Sequence, residues 1–242
     1  MRRWVVTAMA VSAVFVGLIA PAHAATSLDA DLRTVAGTRV VFGHQSVGWN
    51  ILDGMDQLYR ARGVATPRVV DTLPALGRGF AQREIGSNGN PRSKVRDFVT
   101  AVEGSRSVRV AVMKFCFVDM TSGVSARAVF DDYRALVARA AVRRPGVRFV
   151  HVTVPLTVND AASNVVRQRY NQLIRTTYGA RVFDLARMES TRPDGTRVNG
   201  TWRGQRFYAL YRGYAADDGH LNDRGARRVA TGFVRALAAA AR

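Results

Sequence analysis

The sequence predicts a three-layer α/β domain in which helices cover both faces of a five-stranded, mainly parallel sheet. Short runs of β-branched and aromatic residues, typical of buried parallel strands, alternate with stretches whose apolar residues repeat at helical spacing. The chain has 242 residues and is 48% hydrophobic, which is enough for one domain with a sizeable core. Neither an internal repeat nor a second domain is evident.

Five strands are predicted from the apolar runs. They are expected at residues 39–42, 68–71, 108–113, 148–154 and 181–184. Parallel strands require crossover connections, so helices are expected between them. The carboxyl ends of such strands share one edge of the sheet, and ligands bind beyond that edge.

The helices are predicted from periodicity and from their end signals. They are expected at residues 47–59, 91–102 and 125–143, after residue 160 and after residue 222. Asn90, Asp160 and Asn222 are suitable N-caps, and Pro91 fits a first helical position because its missing N–H costs nothing there. Residues 188–211, which contain more Gly, Arg and Thr, predict a surface excursion such as a hairpin.

Residues 1–24 have the pattern of an export signal rather than of the domain. Arg2 and Arg3 precede an apolar stretch that is followed by Ala22-His23-Ala24, a small-residue cleavage pattern. The stretch is short for a membrane anchor, which is the competing interpretation. We therefore expect a secreted or extracytoplasmic domain of residues 25–242 with no transmembrane segment after cleavage.

The chain is strongly basic, with a net charge of +18 that becomes +16 once Arg2 and Arg3 are removed. Only Lys94 and Lys114 among its 36 basic residues are lysines. The arginines are spread over several predicted helices, which favours a generally cationic surface that could associate with an anionic cell envelope over dedicated nucleic-acid binding. Cys116 is the only cysteine, so an intramolecular disulfide is impossible and a buried small residue is the favoured interpretation.

Three residues from opposite ends of the chain could perform nucleophilic catalysis. Ser46 follows the first predicted strand, and Asp217 precedes His220 by three residues just before the last helix. A histidine can remove the serine proton, and an aspartate can orient the histidine and stabilise its charged form. The alternatives are that Ser46 caps the helix beginning at Val47 and that the Asp-x-x-His segment is an ordinary solvated turn.

The closing segment resembles that of the SGNH, or GDSL-type, hydrolases. Residues 217–225 read Asp-Asp-Gly-His-Leu-Asn-Asp-Arg-Gly, similar to the family's Asp-x-x-His motif, and residues 151–156 and 170–175 are similar to its fourth strand and following helix. The resemblance implies a flavodoxin-like fold and a catalytic triad of Ser46, Asp217 and His220. It also implies carboxylic esters as substrates, such as acylated carbohydrate or small lipid esters.

The opening segments depart from the family pattern. The family's Gly-Asp-Ser corresponds here either to His44-Gln45-Ser46 or to Gly43-His44-Ser46 with Gln45 inserted. The oxyanion asparagine of the family's Gly-x-Asn-Asp loop is absent from residues 114–119. The residues that could replace or complete the oxyanion hole are Asn88, Lys114, His44, Gly86 (preferred over Gly89) and the Ser46 N–H.

The sequence therefore predicts a serine esterase that acts through an acyl-enzyme. Two alternatives stay open: an envelope polysaccharide O-acyltransferase that uses the same triad, and a non-catalytic glycan- or envelope-binding module. His44, His220 and Asp217 could converge on zinc, but no tight cluster such as His-x-x-x-His supports this, so neither metal nor cofactor is expected.

Overall fold

The computed structural model describes residues 27–71 and 78–242, and the predicted leader at 1–24 lies outside them. Within these residues one parallel sheet has the strand order β2-β3-β1-β4-β5-β6. Its strands are β1 (Arg39–His44), β2 (Val69–Val70), β3 (Gly79–Glu84), β4 (Val110–Met113), β5 (Arg148–Val152) and β6 (Val182–Phe183). A separate antiparallel hairpin consists of β7 (Asn199–Trp202) and β8 (Gln205–Tyr208).

The helices lie on both faces of the sheet, as predicted. They are α1 (Leu28–Ala36), α2 (Val47–Ala61), α3 (Pro91–Gly104), α4 (Ala126–Arg143), α5 (Ala161–Tyr178), α6 (Leu185–Ser190) and α7 (Asp223–Ala241). One apolar core lies on the side of α1, α2 and α7, and the other lies on the side of α3, α4 and α5. None of the helices in the described part of the chain is long and apolar enough to cross a membrane.

The predicted α/β architecture is confirmed, but the strand count is wrong by one. The missed strand β3 contains Gly79, Ala81, Gln82, Arg83 and Glu84, which are residue types with weak β propensity. It forms because it pairs in parallel with β1 on one side and with β2 on the other. Tertiary pairing thus overrides local propensity here.

The predicted caps are confirmed by hydrogen bonds at the helix starts. The side chains of Asn90, Asp160 and Asn222 accept from the N–H groups three residues later, at 3.1, 3.1 and 3.0 Å. The hairpin predicted within residues 188–211 is also present, and it packs against α5. Because all six sheet strands are parallel, Ser46 lies at one edge of the sheet with the loops that follow β3, β4 and β5.

Candidate active site

The serine turn joins β1 to α2 in a strained conformation. Ser46 has φ 55° and ψ −115°, a left-handed backbone region that is costly for a residue with a side chain. The close approach of His44 to Gly48 fixes this turn, because any Cβ at Gly48 would collide with the imidazole. The Ser46 hydroxyl makes no cap hydrogen bond to α2, so the helix-cap interpretation of this side chain is wrong.

The three predicted catalytic side chains form one hydrogen-bonded chain. Ser46 Oγ lies 2.6 Å from His220 Nε2, and His220 Nδ1 lies 2.7 Å from Asp217 Oδ2. With Nδ1 protonated toward the carboxylate, Nε2 is left as the acceptor for the serine proton. This geometry is that of a nucleophile, a base and an orienting group.

Asp217 is held as an anion by the turn that it begins. Its Oδ1 accepts from the N–H groups of Gly219 and His220 at 2.8 and 2.7 Å. These two backbone hydrogen bonds and the imidazole lower the pKa of Asp217 to about 2. The carboxylate therefore remains charged across the pH range in which a histidine can act as a base.

Two residues outside the triad hold His220 against the serine turn. Asn50 Oδ1, one turn of α2 beyond Ser46, accepts from Leu221 N at 3.0 Å and so ties the two ends of the chain together. The Phe117 ring packs edge-on against the imidazole with centroids 5.6 Å apart. The ring also lies so close to Gly219 that any Cβ there would collide with it.

Comparisons with solved structures identify the fold. A protein called GDSL-like lipase from Parabacteroides merdae aligns with 83% of this chain and 95% of its own at TM-score 0.56 and 14% identity. A member of the lipolytic protein G-D-S-L family from Veillonella parvula aligns with 81% of this chain and 95% of its own at TM-score 0.50 and 12% identity. A protein called lipolytic protein of the G-D-S-L family from Desulfitobacterium hafniense aligns with 83% of this chain and 99% of its own at TM-score 0.51 and 10% identity.

The chain has the SGNH-hydrolase fold. At these identities the likeness shows the fold and leaves the activity to be argued from the site. No family model and no curated protein matches the sequence.

Three of the residues predicted to replace the SGNH oxyanion asparagine do not reach the site surface with a free donor. His44 is fully buried between Phe42 and Trp49, so its ring does not reach the surface of the site. Burial and the nearby Lys114 charge lower the pKa of His44 to about 3, so the ring is neutral. The predicted role of His44 in the oxyanion hole is therefore wrong.

The predictions for Lys114 and Gly86 are also wrong. Lys114 is buried, its Nζ donates to the Phe115 carbonyl at 3.3 Å and to Cys116 Sγ at 3.5 Å, and burial lowers its pKa. The Gly86 N–H donates to Asp97 Oδ2 at 3.1 Å, which occupies it. Lys114 cannot donate to an oxyanion because the end of its strand is covered. The Gly86 N–H cannot do so because Asp97 in α3 already accepts from it.

Two oxyanion candidates remain predictions. The Ser46 N–H donates to no group in the described residues. Asn88 is exposed, and its Oδ1 accepts from Lys94 Nζ at 2.7 Å, which leaves its Nδ2 as an uncommitted donor among the described residues. Gln45 Nε2 fastens the loop that carries Asn88 to the serine turn by donating to the Gly86 carbonyl at 2.8 Å.

A buried charge cluster that the sequence did not predict fixes this loop. Asp119 accepts from Lys94 Nζ at 2.7 Å, from the Cys116 N–H at 2.7 Å and from the Gly89 N–H at 2.8 Å. Both members of the ion pair are fully buried, which removes them from water. The three donors around the Asp119 carboxylate offset this loss of hydration. The sequence held one indication that Lys94 has a special role, because it is one of only two lysines in an arginine-rich chain.

The surface beside the serine carries an aromatic ring. Trp49 is 40% exposed, lies three residues after Ser46, and packs edge-on against His44. Its Nε1 donates to Glu84 Oε1 at 3.0 Å, which fixes the orientation of the indole. Its position in α2 follows a strand-to-helix turn, but the periodic pattern of the helix gave no reason to single it out.

Cys116 is buried, as predicted, and its Sγ lies 3.7 Å from the Gln45 carbonyl. Within the described residues no group of three or more His, Cys, Asp and Glu side chains is arranged to hold a metal ion.

Proposed function

We propose that this protein is a serine esterase that hydrolyses carboxylic esters through an acyl-enzyme. The observation that carries the proposal is the 2.6 Å contact between Ser46 Oγ and His220 Nε2, with Asp217 on the far side of the imidazole. A hydroxyl that served only the helix would bond to α2, and this one does not. The same observation favours an enzyme over a binding module.

Each step has a residue to perform it. His220 Nε2 takes the Ser46 proton as Oγ bonds to the ester carbonyl carbon, and the resulting oxyanion accepts from the Ser46 N–H and from Asn88 Nδ2. His220 then returns the proton to the departing alcohol as the C–O bond breaks. A water molecule then attacks the acyl carbon while His220 takes its proton. The acid leaves as the acyl–Oγ bond breaks, and His220 returns that proton to Ser46 Oγ.

Solvent access supports hydrolysis as the second step. The side chains of His220 and Asp217 are 39% and 59% exposed, so water can reach the base directly. For the alcohol side of the substrate we propose an acylated carbohydrate, because the exposed Trp49 ring offers a flat apolar face beside the nucleophile. Small lipid esters are the alternative from the family resemblance.

A serine-directed fluorophosphonate tests the triad. We expect it to label the native protein, with the adduct mapped to the peptide that contains Ser46, and to leave Ser46→Ala unlabelled. Ser46→Ala should also lose turnover of p-nitrophenyl acetate while its circular dichroism spectrum is unchanged. Labelling at another residue, or turnover retained in Ser46→Ala, would remove the assignment.

We also propose that the protein acts outside the cytoplasm. The support is the pattern of residues 1–24, where two arginines precede an apolar stretch and a small-residue cleavage site. The test is the N-terminal sequence of the protein recovered from the extracytoplasmic fraction, which we expect to begin at Ala25. An intact Met1 in that fraction would contradict cleavage.

A further inference from the structure

Each of the six sheet strands begins at an arginine or directly after one. These residues are Arg68 before β2, Arg78 before β3, Arg39 in β1, Arg109 before β4, Arg148 in β5 and Arg181 before β6. All six are exposed. Because the strands are parallel, the six lie together at the end of the sheet opposite Ser46, and we call this surface the arginine edge.

The backbone register places these arginines side by side. The Arg109 N–H donates to the Arg39 carbonyl, and the Arg148 N–H donates to the Arg109 carbonyl, both at 2.9 Å. Neighbouring strands are about 4.8 Å apart, so the six strands span roughly 24 Å. Like charges this close repel one another, and folding alone gives no reason to collect them here.

The charges of the arginine edge are not paired with carboxylates in the part of the chain that the structure describes. None of the six arginines forms an ion pair with another described residue. Glu103, at the end of α3 next to this edge, is already engaged by Arg143 at 3.0 Å. The arginine edge is therefore a cationic surface whose six arginines have no ion-pair partner among the described residues.

The arginine edge is a broad face rather than a single groove. Side chains alternate along a strand, so Arg39 points to the side of Val41, in the core of α3 to α5, whereas Arg148 points to the side of Val150, in the other core. Arg148 and Arg181 line a groove of 310 Å³ together with residues from the ends of α4 and α7. Positive charge thus lies on both sides of the sheet end.

Exposed apolar side chains lie at the same surface. Val142, near the end of α4, is 81% exposed, and Val69, next to Arg68, is 48% exposed. Val142 belongs to the helix that leads into β5 and Arg148, so it lies at the same end of the sheet. A cationic face with protruding apolar side chains matches a bilayer surface, where phosphates lie above acyl chains.

We propose that the arginine edge docks on an anionic phospholipid membrane. Arginine pairs with phosphate oxygens through two parallel N–H donors, and a row of such groups on both sides of the sheet end can contact neighbouring headgroups. Val142 enters the interface between headgroups and acyl chains. A linear polyanion would offer no apolar layer to Val142, whereas a bilayer does.

Vesicle partitioning of matched charge variants tests this. The edge variant is Arg109→Gln with Arg148→Gln and Arg181→Gln, and the control is Arg96→Gln with Arg206→Gln and Arg224→Gln, which are also exposed and without ion pairs among the described residues. The readout is the partition coefficient on phosphatidylcholine vesicles with phosphatidylglycerol divided by that on phosphatidylcholine alone. This ratio removes any binding that is independent of charge.

We expect the edge variant to lower that ratio about a hundredfold and the control to lower it only a few-fold. Val142→Ser should weaken partitioning on anionic vesicles a few-fold without changing net charge. Ser46→Ala should bind as the native protein does, which keeps this test separate from the proposed catalysis.

Three results would overturn the proposal. One is an equal loss in the edge variant and the control, which would mean that total charge alone decides. Another is a native protein that shows no preference for the anionic vesicles. The third is an edge variant that loses binding to inorganic polyphosphate but keeps binding to vesicles, which would assign the surface to a linear polyanion.

Discussion

The two ends of the central sheet are built on opposite principles. At the carboxyl ends of the strands, charged groups lie in short, defined pairs, with Asp217 bonded to His220 and Asp119 bonded to Lys94. At the amino ends, exposed arginines stand side by side without ion pairs among the described residues. Precise geometry at the first end suits catalysis, and a high density of positive charge at the second end suits binding to a membrane. Mutations at one end should therefore change one of these two properties and leave the other unchanged.

Asp217→Asn should cause the largest change at the catalytic end. An asparagine amide neither fixes the Nδ1-protonated form of His220 nor stabilises its charged form, so we expect kcat to fall by about 10³ to 10⁴. Turnover of p-nitrophenyl acetate measures this, with Asp218→Asn as the control, since Asp218 bonds to Asn159 instead of the imidazole. Partitioning on anionic vesicles should not change, and a parallel loss of both would contradict the separation.

Asn50→Ala should have the next largest effect. It removes the acceptor for Leu221 N and loosens the segment that carries His220, so we expect kcat to fall about 10- to 100-fold with KM nearly unchanged. Asn50→Asp keeps an acceptor oxygen and should restore most of the activity. If Asn50→Ala changed only thermal stability, Asn50 would have no role in positioning the base.

Trp49→Ala should affect the substrate more than the chemistry. We expect KM for an acetylated sugar to rise about 5- to 10-fold, because a flat ring next to the nucleophile is lost. The parameters for p-nitrophenyl acetate should change little, and Trp49→Phe should retain most of the sugar binding. Equal losses on both substrates would indicate that Trp49 supports the serine turn instead.

Glu189→Gln should produce the smallest effect and leave both ends of the sheet unchanged. Burial raises the pKa of Glu189 to about 8 from an ordinary value of 4.5, and its Oε1 has no hydrogen-bond partner among the described residues. Below pH 4.5 the Glu189 carboxyl is neutral in both the folded and the unfolded chain. As the pH rises from 4.5 toward 8, the carboxyl ionises in the unfolded chain but stays neutral in the folded one, so the free energy of unfolding falls.

Because Gln cannot ionise, the variant should melt several degrees above the native protein at pH 8 and at the same temperature near pH 4.5. Differential scanning calorimetry at the two pH values measures this. A variant that melts lower at pH 8 would show that Glu189 is stabilised as an anion in the fold.

The sequence predicted the parts of the molecule that depend on local signals. The caps Asn90, Asp160 and Asn222 have strong side-chain preferences, and the Asp217-to-His220 spacing identified the partners of Ser46. β3 was missed because pairing with its neighbours, and not its composition, makes it a strand. The oxyanion predictions for His44, Lys114 and Gly86 were wrong because burial and competing acceptors are long-range properties that spacing does not encode.

The parallel direction of the six strands in the central sheet has a consequence for what Ser46 can reach. A strand of six residues is about 20 Å long, so a lipid surface under the arginine edge would leave the nucleophile facing away at roughly that height. Acyl chains embedded below would be out of its range. Polymers that project outward past the headgroups would reach Ser46 directly.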